Sequence, residues 1–294
     1  MNAPPPPLLT TSTRPWSFDG RSGFEVTTAH YRLFTTVRDR PTIDRFCRLM
    51  EAAHAEYAAL VPPATNEIKL LDAYLFERPD EWEAYTRRIG GPDAAVLLSV
   101  GPGGYAYGDR FVCWLYNASD LWNVAAHEGF HQYVARHLRQ RLPPALEEGL
   151  ATTFENVTVT DSAVTFDRSN ARRAAGLADQ ATPSVPLDEL LRMNAGDIAG
   201  RDLPTRERFY GQCWALARLL LESPEYAPGL RKMLIDLREG RAADNVGRTD
   251  AAGLYFPNAA RPLLARYVAA DWPGFVRAVD AETSRLAAAA LERD

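Results

Sequence analysis

In the segment His127-Glu128-Gly129-Phe130-His131, two imidazoles and a carboxylate stand at a spacing that can hold a metal ion and activate water on it. Residues four apart in a helix lie on one face, one turn above the other. Neutral imidazoles at His127 and His131 can therefore grip a single Zn²⁺, for which the usual bond is about 2.0–2.1 Å. Glu128, beside the first histidine, points toward the same cavity and can take a proton from a water on the metal. Only 5 histidines occur in 294 residues, so composition alone seldom produces this pattern. The alternative for the pair is a buried amphipathic helix whose histidines are satisfied by hydrogen bonds.

The chemistry requires that helix. Residues 121–142 read as one, because Leu121, Val124, Ala125, Ala135 and Leu138 recur near helical spacing. Asn117 or Ser119 can cap its start, and Asp120 suits the positive end of the helix dipole. Pro143 and Pro144 stop it. Gly129 inside the motif costs about 1 kcal/mol relative to alanine, so either packing or space beside the metal must call for it.

A catalytic zinc uses three protein ligands and keeps one position open. Residues 145–155 read as a second helix, with Leu146, Leu150 and Phe154 on its apolar side. A short turn at the double proline folds it back on the first. Glu147 and Glu148 both lie on it, diverging by about 100° around the axis, so one of the two can face the metal. Thr152 and Glu155, four and seven residues past Glu148, lie on roughly its side of the helix and are candidates to orient an imidazole. His137, six residues past His131, is on the wrong face for the same ion.

With His127-Glu128-x-x-His131 followed by Glu148-Gly149-x-Ala151, the chain resembles the gluzincin zinc metallopeptidases of the peptidase MA clan, the aminopeptidase N and thermolysin-like group. It is most similar to bacterial domain-of-unknown-function families carrying phrases like A-H-E-G-F-H-Q-Y and P-x-L-x-E-G-L-A-x-x-F-E. The likeness runs from about His30 to the helix near Leu220. It implies that Glu148 rather than Glu147 is the third ligand of one zinc per chain. Sixteen residues separate His131 from Glu148, slightly fewer than in the aminopeptidase N family. The resemblance also implies a catalytic tyrosine some sixty residues farther on, in a pattern like Y-x-K-G-A. Tyr210 of Tyr210-Gly211-Gln212-Cys213-Trp214-Ala215 matches it, although Gln212 and Cys213 depart from Lys-Gly. A phenol there would stabilise the developing oxyanion more than the ground state.

Upstream, residues 30–37, 68–76 and 110–116 read as strands, with helices at 42–60 and 79–88. In gluzincins the strand just before the zinc helix lies along the cleft. An extended peptide can pair with such an edge, and Tyr105, Tyr107, Trp114 and Tyr116 are candidates to line its pockets. Gly104-Tyr105-Ala106-Tyr107-Gly108 does not match the G-x-M-E-N that holds a free amino group in aminopeptidases, so aminopeptidase specificity is not implied.

The expected fold is α+β and zincin-like. A flexible Pro-rich tail (residues 1–20) precedes an α/β subdomain with a mixed sheet and a substrate-shelf edge strand (21–117). A mainly helical catalytic subdomain carrying the zinc ligands follows (118–294), with the zinc cleft between the two. A small hairpin is expected at 157–160 and 164–166, and helices at 206–221, 226–238, 259–269 and from 272 to the end. The formal net charge of −5 argues against a nucleic-acid partner. No run of 18 apolar residues is present, so no membrane span is expected. Cys47, Cys113 and Cys213 are odd in number and far apart, as reduced cytoplasmic thiols are; a shortened exported protein is the alternative. The expected activity is zinc-dependent hydrolysis of a peptide or protein substrate, with Glu128 as base. Two alternatives are a non-catalytic zinc protein that binds a peptide or partner, and a zinc hydrolase of a non-peptide substrate.

Overall fold

A computed structural model describes residues 11–63, 69–99, 103–115, 117–246 and 259–292; Pro4 to Pro7 and Tyr116 lie outside them. The protein is α+β, with an N-terminal mixed sheet and a largely helical C-terminal part. The chain divides into two compact units, Met1–Ala59 with Thr65–Arg136 and Phe154–Asp167, and Leu60–Ala64 with His137–Thr153 and Arg168–Asp294.

The first unit holds strands β1 (Ser12–Phe18), β2 (Arg21–Thr27), β3 (Tyr31–Thr35), β4 (Leu71–Phe76), β5 (Gly104–Tyr107) and β6 (Arg110–Trp114) in one sheet of order β1-β2-β3-β4-β6-β5. The β3–β4 and β4–β6 pairs are parallel and the others antiparallel. The unit also contains α1 (Arg40–Leu60), α2 (Pro79–Gly90), α3 (Ala94–Ser99), α4 (Ala118–His137) and a hairpin of β7 (Val157–Val159) with β8 (Val164–Phe166). Helix α1 buries Ile43, Phe46, Cys47, Met50, Ala53 and Tyr57, the three-to-four spacing of an apolar stripe.

Two expectations change here. Residues 12–18 are not a flexible tail: β1 pairs with β2 from Ser12 opposite Thr27 to Phe18 opposite Arg21. The turn is Asp19-Gly20, both at positive φ (47° and 78°), the dipeptide that two-residue hairpins favour. Pro15 lacks an N–H and is tolerated because β1 is an edge. The edge strand on the other side is β5, not residues 110–116: β6 lies between β4 and β5.

Helix α4 sides with the sheet rather than with the helices, unlike the boundary expected at residue 117. Its buried Gln132 amide donates to the carbonyls of Asp72 and Asp109, both at 2.8 Å, and Asn123 accepts from the N–H of Val157 at 3.3 Å. The helix ends at His137 instead of Leu142. Beyond it the Gln140 N–H donates to the Leu237 carbonyl at 3.1 Å, and the Gln140 side chain accepts from Ala243 at 3.1 Å, so tertiary partners replace helical ones.

The second unit is helical: α5 (Pro144–Thr152), α6 (Ala171–Ala178), α7 (Leu187–Leu190), α8 (Ala195–Ala199), α9 (Leu203–Glu222), α10 (Ala227–Glu239), α11 (Ala242–Asn245), α12 (Ala260–Tyr267) and α13 (Trp272–Leu291). Every residue of α5 is buried. It stops at Thr152, short of Glu155, where the Thr152 and Thr153 hydroxyls donate to the carbonyls of Gly149 (2.6 Å) and Leu150 (2.7 Å) and tighten the last turn. Helix α9 packs on α5 where Gly149 admits the Cys213 carbonyl: a Cβ at Gly149 would lie 2.4 Å from that oxygen. All three cysteines are buried free thiols, and burial pushes Cys47 up to about 12. Among the described residues no helix is long and apolar enough to cross a membrane.

Candidate metal centre

The His127 and His131 rings meet edge-on on α4, inclined at 65°, with Nε2 atoms 3.1 Å apart. Two nitrogens bound to one tetrahedral ion at the usual zinc distance stand about 3.3 Å apart, so the pair fits a shared ion with little adjustment. Glu148 completes the set. One ligand atom from each of His127, His131 and Glu148 lies within 4.8 Å of the others, and among the described residues no other such group of three is present. Two imidazoles and one carboxylate are the donor set of a His₂Glu zinc site.

Close packing positions the histidine helix. Tyr57 on α1 is fully buried, and its hydroxyl donates to the Ala126 carbonyl at 2.5 Å, one residue before His127. Burial pushes its phenol well above the ordinary range, with Tyr31 and Glu128 adding to the effect, so it stays a neutral donor. A Cβ at Gly129 would lie 2.9 Å from the Tyr57 hydroxyl and 3.0 Å from Cε of Met50. Packing by α1 is therefore what calls for this glycine. Phe130 and Phe154 close over the Tyr57 ring at centroid distances of 5.6 and 4.9 Å.

Glu155 reaches Nδ1 of His127 at 2.8 Å. It does so from the connection between α5 and β7, not from the helix where the spacing argument put it. A carboxylate this close favours the proton on Nδ1 and so the lone pair on Nε2, the tautomer a metal needs, although the two groups are not aligned as a hydrogen bond. The Thr152 hydroxyl donates to the Gly149 carbonyl within its own helix. Of the adjacent glutamates, Glu148 joins the metal group and Glu147 pairs with Arg141 at 3.1 Å. Both are buried, so neither is solvated surface.

Glu128 is held by the main chain. Its Oε2 accepts from the Ala106 N–H on β5 at 2.9 Å, a group that carries no signature in the sequence. The aromatic residues expected along the cleft diverge. Tyr105 is core: it is 3 % exposed, and its hydroxyl lies 2.8 Å from that of Thr86. Tyr107 is half-buried and donates to Asp93 at 3.0 Å. Trp114, also half-buried, packs against the cluster formed by Phe18, Phe76, Trp82 and Tyr85.

Tyr210 lies half-buried on α9, its ring 4.6 Å from the guanidinium carbon of the buried Arg173. Arg173 is itself held by Glu207 at 2.8 Å, a pair that spacing did not single out. The departures from Y-x-K-G-A have structural uses. The Gln212 amide accepts from the Val185 N–H at 2.9 Å and donates to its carbonyl at 2.8 Å. Cys213 supplies the carbonyl that abuts Gly149, and its thiol is pushed well up by burial and by the charge of Glu148, with Arg173 opposing. No family model, curated protein or solved structure matches this chain.

Proposed function

We propose that this protein is a zincin-like hydrolase that holds one Zn²⁺ on His127, His131 and Glu148 in a cleft of gluzincin type and cleaves peptide bonds. The observation that carries the reading is the convergence of two imidazoles and a carboxylate on one point, with a second carboxylate, Glu128, on the residue next to His127. A bound zinc ion supplies a water acidic enough to lose its proton near neutral pH and polarises the scissile carbonyl.

The chain's own groups do the rest. Glu128 accepts the proton and returns it to the leaving amine, so one carboxylate serves as base and then acid. Glu155 keeps His127 in the tautomer that presents Nε2. The Tyr210 phenol donates to the oxyanion as the carbonyl becomes tetrahedral.

The test is elemental analysis of wild type and His131→Ala, with a broad peptide-library digest of wild type and metal-loaded Glu128→Gln. About one zinc in wild type and almost none in His131→Ala is expected for a site of this donor set. Glu128→Gln should keep its zinc and lose turnover by about 10²–10⁴-fold, the share of a positioned base. Full turnover by the zinc-loaded variant would remove Glu128 as base, and absence of metal in wild type would end the reading.

A further inference from the structure

The contact between Glu128 and β5 is not one that the reaction itself demands. Strand β5 is the terminal strand of the sheet, antiparallel to β6, with Ala106 opposite Phe111. In such a pair alternate residues turn their N–H and C=O toward the partner strand or away from it. The Ala106 N–H is turned to Glu128 Oε2. Helix α4 runs beside this strand: a Cβ at Gly103 would lie 3.4 Å from Val124, one turn before Glu128.

We propose that the main-chain N–H of Ala106 is the anchor of the Glu128 carboxylate, a positioning group that orients the base; its bearing on catalysis rests on the peptidase reading above. A glutamate side chain has three rotatable bonds and loses its directionality unless something holds it. An N–H donated to a charged oxygen is short and strong compared with one between neutral groups. With Oε2 held, the carboxylate plane is set and proton transfer falls to Oε1. The same bond takes Ala106 N–H out of the strand's free edge. An extended peptide lying along β5 must then pair at this residue through the Ala106 carbonyl alone, because a bond from the N–H would pull the base off its anchor.

The test uses the whole chain labelled uniformly with ¹⁵N, in zinc-free and zinc-loaded forms. The Ala106 amide is the resonance missing from Ala106→Pro. An outward amide on an edge strand exchanges quickly unless a side chain protects it. Its exchange should be about tenfold or more slower in wild type than in Glu128→Ala, with other β5 amides unchanged. Equal rates in the two proteins overturn the proposal. Proline is tolerated on an edge strand, so Ala106→Pro should bind zinc as wild type does and keep its KM, while kcat falls about ten- to a hundredfold. Wild-type kcat in folded Ala106→Pro also overturns it. If no peptide is cleaved by any of these proteins while Ala106 protection still depends on Glu128, the anchor stands and the peptidase reading is what fails.

Discussion

In the proposed metal site, Glu155 would act on the ion through His127 rather than by touching it. Its carboxylate lies 2.8 Å from Nδ1 of His127, and both groups are nearly buried, with 11 % and 10 % of the side chains exposed. A carboxylate this close favours a proton on Nδ1, which leaves the lone pair on Nε2 and raises its basicity. Glu155→Ala should weaken zinc binding by about 10–100-fold, the usual loss when such a partner is removed. Competition against a chromophoric chelator measures it. Zinc affinity equal to wild type would mean that Glu155 serves folding rather than the metal. Thr152→Ser, which keeps the hydroxyl bonded to Gly149, is the natural control.

At the scale of the elements, the two glycines of the motifs do different jobs. At Gly149 a Cβ would stand 2.4 Å from the Cys213 carbonyl and 3.0 Å from its carbon, so a backbone would have to move. At Gly129 the obstacles are the ends of two side chains, Tyr57 and Met50, at 2.9 and 3.0 Å. Overpacking that forces backbone shifts costs about 1–3 kcal/mol, whereas alanine gains about 1 kcal/mol over glycine in a helix interior. Gly149→Ala should therefore destabilise the protein by that larger margin, pushing α5 off α9 beside Glu148 and weakening zinc binding with it. Gly129→Ala should cost less than Gly149→Ala, because the ends of the Tyr57 and Met50 side chains must move rather than a backbone, and helix propensity offsets part of that displacement. Denaturant unfolding of the zinc-free proteins ranks the two, and the reverse order would show that α5 and α9 are not held as closely as their backbones imply.

For the molecule as a whole, acid stability has a local source outside the group of His127, His131 and Glu148. Glu51 on α1 is largely buried, which pushes its carboxyl up. Hydrogen bonds from the His30 ring (2.6 Å), the Thr28 hydroxyl (2.6 Å) and the His30 N–H (2.8 Å) outweigh that and hold it below the ordinary value. His30 in turn stacks on His54 at 3.8 Å, and Tyr31 and Tyr133 flank His54 edge-on. A carboxyl depressed in the folded state binds fewer protons there than in the unfolded chain. Its stabilisation is complete above the unfolded value near pH 4.3 and is lost as pH falls through the lower folded value. Glu51→Gln should lower the unfolding temperature at pH 7 and flatten its fall between about pH 5 and pH 3. Thermal unfolding across that range checks both, and parallel curves for the two proteins would remove Glu51 as a source of acid lability.

Much of the site was legible because helical geometry is local. The four-residue step from His127 to His131 puts two imidazoles on one face in any helix, and the hairpin at 157–166 and the long helices near 206, 226 and 272 follow from short-range patterns. The hairpin of β1 and β2 has a local signal too, Asp19-Gly20, although Pro15 and the proline run upstream of it count against a strand there. Other features depend on residues far apart in the chain, and no local period encodes them. Tyr57 crowds Gly129 from 72 positions away, and the Cys213 carbonyl leaves no room for a side chain at Gly149. Tyr105, one of four similar aromatics by sequence, became core because its strand turns it toward Thr86. The Ala106 N–H meets Glu128 only because β5 falls at the sheet edge beside α4. Residue types and spacing by themselves determined which groups can do chemistry. Which of them are oriented, anchored or buried was decided by tertiary packing, because a main-chain donor and a close helix crossing exist only once distant segments meet.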